Sequence, residues 1–270
     1  MRIAMAPAIA AVLLAIQPMP ASAAEPLSGW KIEPSDARCV AVRQYGSADK
    51  PITLALKAST TGNGIQAALL RSGYRRGFLQ TNASIVVDGK SFSSTALSYP
   101  LGNDKRRVAH LLNLDADASG ALRTAKSMKL TIIEGINDSF AIEPSFGLWR
   151  ELQDCVARLR HSWNISDERR VHIATNARGD LRGVFSAEDY PVRAMMEGET
   201  GSTRVGLLID ESGSVRDCTL ITASGIAMLD SRSCGIITER ARFSPALDAG
   251  GKPVKSYREQ VISWRLAGGL

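Results

Sequence analysis

The last third of the chain decides the fold: SAEDYPVRAMMEGETGSTRVGLLIDESGSVRDCTLITASGIAMLDSRSCGIITERARFSPALDAGGKPVKSYREQVISWRL, Ser186 to Leu266. Val205, Leu207 and Ile209 alternate along one face of a first strand. Glu211-Ser212-Gly213-Ser214 is a turn, and Gly213 suits a positive φ. Val215–Thr222 forms a second strand, with Cys218 and Leu220 on one face and Asp217, Thr219 and Ile221 on the other. After Ser224-Gly225 the period changes to that of a helix: Ile226, Leu229, Ser233, Ile236, Ile237 and Ala241 make a stripe suited to burial. Phe243 closes the helix ahead of Ser244-Pro245, because proline disfavours helical dihedrals before it. A loop over Asp248–Pro253 leads to a last strand. In it Tyr257, Glu259, Val261, Ser263 and Arg265 alternate with Arg258, Gln260, Ile262, Trp264 and Leu266. The unit reads β-β-α-β.

Several of its landmarks resemble the C-terminal domain of the TonB family, periplasmic proteins that engage outer-membrane receptors. They are Tyr190-Pro191 with Ala194, Asp210-Glu-Ser-Gly213, Ser224-Gly225, Leu229-Asp230, Arg242-Phe243-x-Pro245-Ala246 and Gly251-Lys252-Pro253-Val254. They occur in the family's order and spacing over about 80 residues. Ala223 departs from the serine usual before Ser-Gly. Cys218 and Cys234 fit a subgroup with a strand–helix cysteine pair.

The resemblance implies a mechanism of strand addition. In the family, a short receptor peptide, the TonB box, pairs with the last strand, because an exposed sheet edge offers unpaired N–H and C=O groups. The candidate partner-binding residues are therefore Ser256, Tyr257, Arg258, Glu259, Gln260, Val261, Ile262, Ser263 and Trp264, with Tyr190 and Pro191. The charges on this strand suit an edge guarded against aggregation. The same edge is equally a route to a homodimer. The expected partner is an outer-membrane TonB-dependent receptor, with no nucleic acid and no small-molecule cofactor.

Upstream, Met1–Ala24 has the layout of a secretory signal peptide. Arg2 precedes an uncharged run, Pro18 and Pro20 break it, and Ala21–Ala24 offers small residues for cleavage. The mature chain is expected to begin near Ala24 or Glu25, in the periplasm. The alternative is an uncleaved inner-membrane anchor, which would make the protein an energy transducer. Against that, the run carries no intramembrane charge or histidine for motor partners. The long Pro-rich spacer of TonB proper is also missing: no proline lies between Ser145 and Tyr190.

Residues 25–164 read as a mostly β domain, a sandwich or open barrel, with a closing helix, so the fold class is α+β. Strands are expected at Cys39–Tyr45, Ile52–Lys57, Ile65–Leu70, Ser84–Val87, Arg107–Leu112 and Leu130–Glu134, with Asp88-Gly89 as a hairpin signal. A short helix is expected over Gly120–Ser127. A second over Gly147–Arg160 carries Leu148, Leu152, Cys155, Val156 and Leu159 on one face. Trp30, Cys39, Tyr45-Gly46 and Leu152-x-x-Cys155 also resemble the half that accompanies TonB C-terminal domains in some alphaproteobacterial proteins, a half with no defined activity. Charge-rich and turn-rich residues 165–185 read as a linker to the C-terminal domain, residues 186–270.

Export places the four cysteines in an oxidising compartment. Four cysteines allow three pairings. The domain split favours Cys39 with Cys155 and Cys218 with Cys234, the latter joining the second strand to the helix over it.

Composition and motifs exclude other classes. The chain is 44% hydrophobic with a net charge of +6. It holds 33 Lys and Arg against 27 Asp and Glu; residues 166–270 hold 14 of each, so the excess lies upstream. Such an excess favours anionic envelope surfaces, or simply a solvated face. The basic clusters are short and carry no nucleic-acid motif. Gly62-Asn63-Gly64-Ile65-Gln66-Ala67 matches a dinucleotide fingerprint in letters but lacks the βαβ setting, and reads as a hairpin turn. Asp115–Gly120 opens like a calcium loop, but Lys126 stands where the bidentate Glu belongs. It reads as a helix start capped by Asp117 or Ser119. His110, His161 and His172 are scattered and no C-x-x-C occurs, so no metal site is expected. Without G-x-S-x-G, H-E-x-x-H or a cysteine expected to stay free, the protein reads as a non-enzyme. Glu188-Asp189 reads as an acidic helix start.

Overall fold

The structure is a computed structural model that describes residues 23–33, 35–61, 64–101, 106–133, 135–142, 146–165 and 172–266. The leader Met1–Ser22 lies outside the described residues, as does the charge-rich part of the linker, 166–171.

The N-terminal half is one curled antiparallel sheet. Its nine strands are β1 (Lys31–Glu33), β2 (Cys39–Ser47), β3 (Lys50–Ala58), β4 (Ile65–Ser72), β5 (Leu79–Val87), β6 (Lys90–Leu101), β7 (Arg107–Leu114), β8 (Ser127–Ile132) and β9 (Ile136–Ala141). They run β1-β2-β3-β4-β7-β6-β5-β8-β9. This is the open-barrel form of the expected β domain, not a sandwich, because a single sheet closes around its own core. The curl brings β9 back toward β2. Ala24 bridges Phe140 and Pro26 bridges Tyr45. The Tyr45 hydroxyl donates to Ala141 O at 3.0 Å, and the Trp30 indole donates to Ile142 O at 3.1 Å.

Alternation sends every second side chain inward. On β2 the inward set is Cys39, Ala41, Arg43 and Tyr45, and all four are buried. The Asp88-Gly89 hairpin forms as expected, with both residues at positive φ (44° and 86°), and joins β5 to β6. Ile65–Leu70 lies in an antiparallel strand paired with β3, not at the start of a helix; the turn expected at Gly62-Asn63 lies outside the described residues.

Two helices fill the open side. Helix α1 spans Ala116–Leu122, earlier than the expected Gly120–Ser127, and Ser127 already begins β8. The reason is the cap: Asp115, rather than Asp117 or Ser119, accepts from Ala118 N at 2.7 Å and sets the start. The hydroxyl of Ser119 is buried and accepts from Ile65 N at 3.0 Å, tying the helix to β4. Helix α2 spans Phe146–Ser162 and buries Leu148, Leu152, Cys155 and Leu159 as the spacing predicts. Trp163 follows, fully buried, with its indole N–H on Asp36 O at 2.7 Å.

The C-terminal half holds a 3-10 turn (Ala187–Asp189), α3 (Val192–Met196), β10 (Gly201–Ile209), β11 (Val215–Thr222), α4 (Ala227–Arg240), the short β12 (Ala246–Leu247) and β13 (Pro253–Val254), and β14 (Ser256–Trp264). The β-β-α-β order of the sequence reading is present as β10, β11, α4 and β14. Helix α4 ends at Arg240, three residues before Phe243. Phe243 instead donates its N–H to Gly213 O at 2.9 Å. Gly213 sits at φ 81°, and a Cβ there would lie 1.8 Å from Phe243 O, so the turn between β10 and β11 requires glycine. A second core forms from Val205, Leu207, Ile209, Leu229, Ile236, Ile237, Phe243, Ile262 and Trp264. Residues 173–185, read as linker, pack on this core through Ile173, Ala177, Leu181, Val184 and Phe185, with bridges from Thr175 to Leu247 and Arg178 to Ser244.

The two halves meet directly. Lys57 Nζ on β3 donates to both carboxylate oxygens of Asp217 on β11 at 2.8 Å, where Asp217 is also held by Thr219. Met228 N donates to Gln80 Oε1 at 2.8 Å. Leu208 and Tyr257, on the sheet face away from α4, pack toward the N-terminal core. A Cβ on Gly206 would meet the Tyr257 ring at 2.7 Å, so the glycine makes room for that ring.

Both disulfides favoured by the domain split are formed. Cys39–Cys155 ties β2 to α2 across 116 residues, and Cys218–Cys234 ties β11 to α4 across 16. The longer loop removes more denatured-state entropy, about 4–5 kcal/mol in the chain-entropy model against about 3 for the shorter one. Breaking Cys39–Cys155 by a Cys39→Ser, Cys155→Ser double substitution is therefore expected to cost about 2–5 kcal/mol in urea denaturation. The Cys218, Cys234 counterpart is expected to cost less, and the two losses are compared by the shift in midpoint.

Candidate functional site: the open edge of the last strand

Strand β14 lies at an edge of the C-terminal sheet, whose order is β11-β10-β14. All nine of its residues pair with β10, from Ser256 opposite Ile209 to Trp264 opposite Gly201. No strand pairs its other side among the described residues. Consecutive residues of a strand direct their N–H and C=O groups to opposite sides, so alternate backbone groups of β14 face that open side.

The side chains of β14 divide by face. Ile262 and Trp264 are buried in the C-terminal core. Trp264 is the most connected of them. Phe185 and Tyr190 meet its indole edge-on at 5.6 and 5.3 Å, and its N–H donates to Ser233 Oγ at 2.8 Å. Ser233 in turn donates to Leu229 O within α4. One side chain thus fixes the last strand to the helix and to the segment before the domain. Arg258 stacks over Phe243 at 5.6 Å and donates to Ala177 O at 3.2 Å. On the opposite face Val261 is 54% exposed, Ser263 pairs with Ser202, and Glu259 bridges Arg204 at 2.5 Å.

Beside the open edge, residues 179–187 form a second wall. Strand and wall enclose a groove of about 540 Å³ lined by Gly179, Asp180, Leu181, Arg182, Phe185, Ser186, Ala187 and Tyr190 on one side and by residues 258 and 260–265 on the other. Of the sequence-derived candidates, the groove brings together Tyr190, Arg258, Gln260, Val261, Ile262, Ser263 and Trp264. It does not include Ser256, which is buried, or Pro191, which caps α3. Tyr257 and Glu259 instead line a separate cleft of about 380 Å³ with Asn164, Ile165, Ile173 and Asn176. Burial pushes the Tyr257 hydroxyl up to about 12. The wall 179–187 was not a sequence-derived candidate. Its signal was the apolar set Leu181, Val184 and Phe185 within an otherwise turn-rich stretch.

The far end of the wall is pinned by a buried carboxylate. Asp189, 3% exposed, accepts from Arg232 at 2.7 Å and from Arg240 at 2.8 Å. Its carboxylate also accepts from Ser186 N at 2.8 Å and Ser186 Oγ at 3.1 Å. So Asp189, expected to favour a helix dipole, instead clamps the 3-10 turn to α4. The Tyr190 hydroxyl donates to Glu199 O.

Residues 186–266 match the family described as the Gram-negative bacterial TonB protein C-terminal. Comparison with curated proteins finds no significant match for the chain. The matched residues cover β10, β11, α4 and β14, and begin within the wall of the groove. Over this stretch the chain carries a TonB C-terminal domain, and proteins of that family are transport-associated, act at the envelope and generally interact with outer-membrane receptors. No helix among the described residues is long and apolar enough to cross a membrane.

The Asp189 clamp has a pH signature. Burial works against its ionisation, but the Ser186 hydrogen bonds and the Arg240 guanidinium outweigh it and bring its pKa from 3.8 to about 2. A carboxyl with a lowered folded value stabilises the fold above its unfolded value and loses that contribution as pH falls through the folded one. Stability is therefore expected to drop as pH falls from about 4 to about 2, by about 2 kcal/mol from this group. The Asp189→Asn variant is expected to lack that part of the acid dependence when urea midpoints are compared at about pH 2.5, within the transition, and at about pH 6, above it.

Proposed function

With residues 186–266 a TonB C-terminal domain, we propose that this protein is a periplasmic binding or adaptor protein. It takes an extended peptide of an outer-membrane receptor, the TonB box, as a fourth strand on the open edge of β14. The observation that carries this reading is the groove itself. It is walled on one side by a strand that no other strand pairs on that side among the described residues, and on the other by residues 179–187. An extended peptide fits such a slot: its backbone completes the ladder, and alternate side chains enter the groove. Gln260, Val261, Ile262 and Ser263 would supply the ladder. Phe185, Tyr190 and Arg258 would face the incoming side chains.

Export through cleavage of the leader 1–24 belongs to the same proposal. Two disulfides, with no free cysteine among the described residues, favour an oxidising compartment.

Proline scanning of the edge tests it. Of two consecutive residues, one directs its N–H toward β10 and the other toward the groove. Between Gln260→Pro and Val261→Pro, the variant that removes the groove-facing N–H is expected to keep its melting temperature within a few degrees and lose peptide affinity at least about tenfold. The other is expected to be destabilised. Binding of a TonB-box peptide to the full chain, read by titration calorimetry, makes the comparison. No binding by the unsubstituted protein contradicts the proposal. A concentration-dependent dimer that these substitutions abolish assigns the edge to self-association instead.

A further inference from the structure

The net charge of the chain is concentrated at one end of the curled sheet. Residues 25–165 hold 18 basic and 13 acidic side chains. Five of the basic ones, Arg71, Arg75, Arg76, Arg106 and Arg107, lie where the β4–β5 and β6–β7 connections meet. The two connections are tied together: Ser72 pairs with Arg107, Leu101 pairs with Arg107, and Gly73 N donates to Arg106 O at 3.0 Å. Arg71 pairs with Asp138 at 3.1 Å, and Arg76, Arg106 and Arg107 are exposed.

The same end presents aromatic side chains to solvent. Tyr74 is 65% exposed and Phe78 59% exposed. They are held in place rather than loose. Phe78 stacks on Tyr99 at 5.5 Å, and Arg76 donates to the Tyr74 hydroxyl at 2.9 Å with its guanidinium 5.9 Å from the ring centroid. Exposed arginines and exposed aromatics on one tip are complementary to a particular surface. Guanidinium forks bind phosphate oxygens bidentately, and amphipathic or aromatic rings settle at the level of lipid headgroups. Either feature alone binds a bilayer weakly; basic charge and apolar contact together give stable attachment.

We propose that the Tyr74–Phe78 tip, flanked by Arg106 and Arg107, is a docking surface for an anionic phospholipid bilayer. It is separate from the β14 groove and independent of what that groove binds. The tip would hold the protein at a membrane face, with the arginines on lipid phosphates and the rings of Tyr74 and Phe78 among the headgroups.

The test is co-sedimentation with vesicles, using exported protein extracted from the envelope in high salt. The protein is expected to sediment with equimolar phosphatidylglycerol–phosphatidylcholine vesicles at low ionic strength and far less with phosphatidylcholine alone. Each basic residue near such a surface contributes enough for about a fivefold change, so Arg76→Ser with Arg107→Ser, both exposed, is expected to weaken binding about twenty-five-fold. Tyr74→Ser with Phe78→Ser is expected to weaken it and to remove the part that survives high salt. Lys31→Ser with Lys50→Ser, which removes two exposed charges elsewhere on the same half, is expected to leave binding unchanged. Inorganic phosphate is expected to compete no better than chloride at equal ionic strength. Equal losses from both charge pairs would overturn the proposal, since binding would then follow net charge rather than this tip. Equal binding to both vesicle types, or specific displacement by inorganic phosphate, would overturn it as well.

Discussion

The contact on which the C-terminal domain depends most is the indole of Trp264. It is the last residue of the last strand, yet it reaches three other parts of the fold. Its N–H fixes the strand to Ser233 on the helix. Its ring edges meet Phe185 and Tyr190, which precede the first strand of the domain. Each contact is modest, about 0.5–1.5 kcal/mol for an aromatic pair beyond its buried area. Their joint effect is geometric. They hold residues 179–190 alongside β14 without letting them pair with it. The groove exists because the aromatic contact stands in for the strand pairing that would otherwise fill the edge.

Two further constraints keep that arrangement fixed. The Asp189 clamp ties the far end of the wall to Arg232 and Arg240, so the wall is held from the helix as well as from Trp264. On the other face of the sheet, Lys57 with Asp217 and the Tyr257 ring against the N-terminal core cover what would be an exposed surface. The sheet therefore has one covered face, one face on its own helix, and two edges, of which the β14 edge carries the groove. The N-terminal half supplies the cover for the second face and holds its own curled shape through Cys39–Cys155.

Much of this was legible in the sequence because it rests on period. The alternation of Val205, Leu207 and Ile209, and the helical recurrence of Leu229, Ser233, Ile236 and Ile237, report one-sided burial and survive in the fold. The Asp88-Gly89 hairpin and the stripe Leu148–Leu152–Cys155–Leu159 were legible for the same reason. What failed were features set by single contacts. The start of α1 depends on which of three nearby capping side chains wins, and Asp115 wins through its bond to Ala118 N. The end of α4 depends on Phe243 being drawn to Gly213. The choice between sandwich and open barrel depends on strand order, which short runs of alternation do not encode. Half of the groove went unread because residues 179–187 have no period at all. They are placed by Trp264 and by Arg232 and Arg240, which hold the adjacent Asp189, and all three are distant in sequence.

The central claim is that the open edge of β14 receives an extended chain in the groove beside Trp264. Residue-resolved amide hydrogen exchange with and without a bound receptor peptide tests it most directly. The account predicts slowed exchange at alternate residues of Ser256–Trp264, those whose N–H groups face the groove, with the β10-facing amides unchanged. Protection that falls elsewhere, or no change along β14 while the peptide is bound, would contradict it.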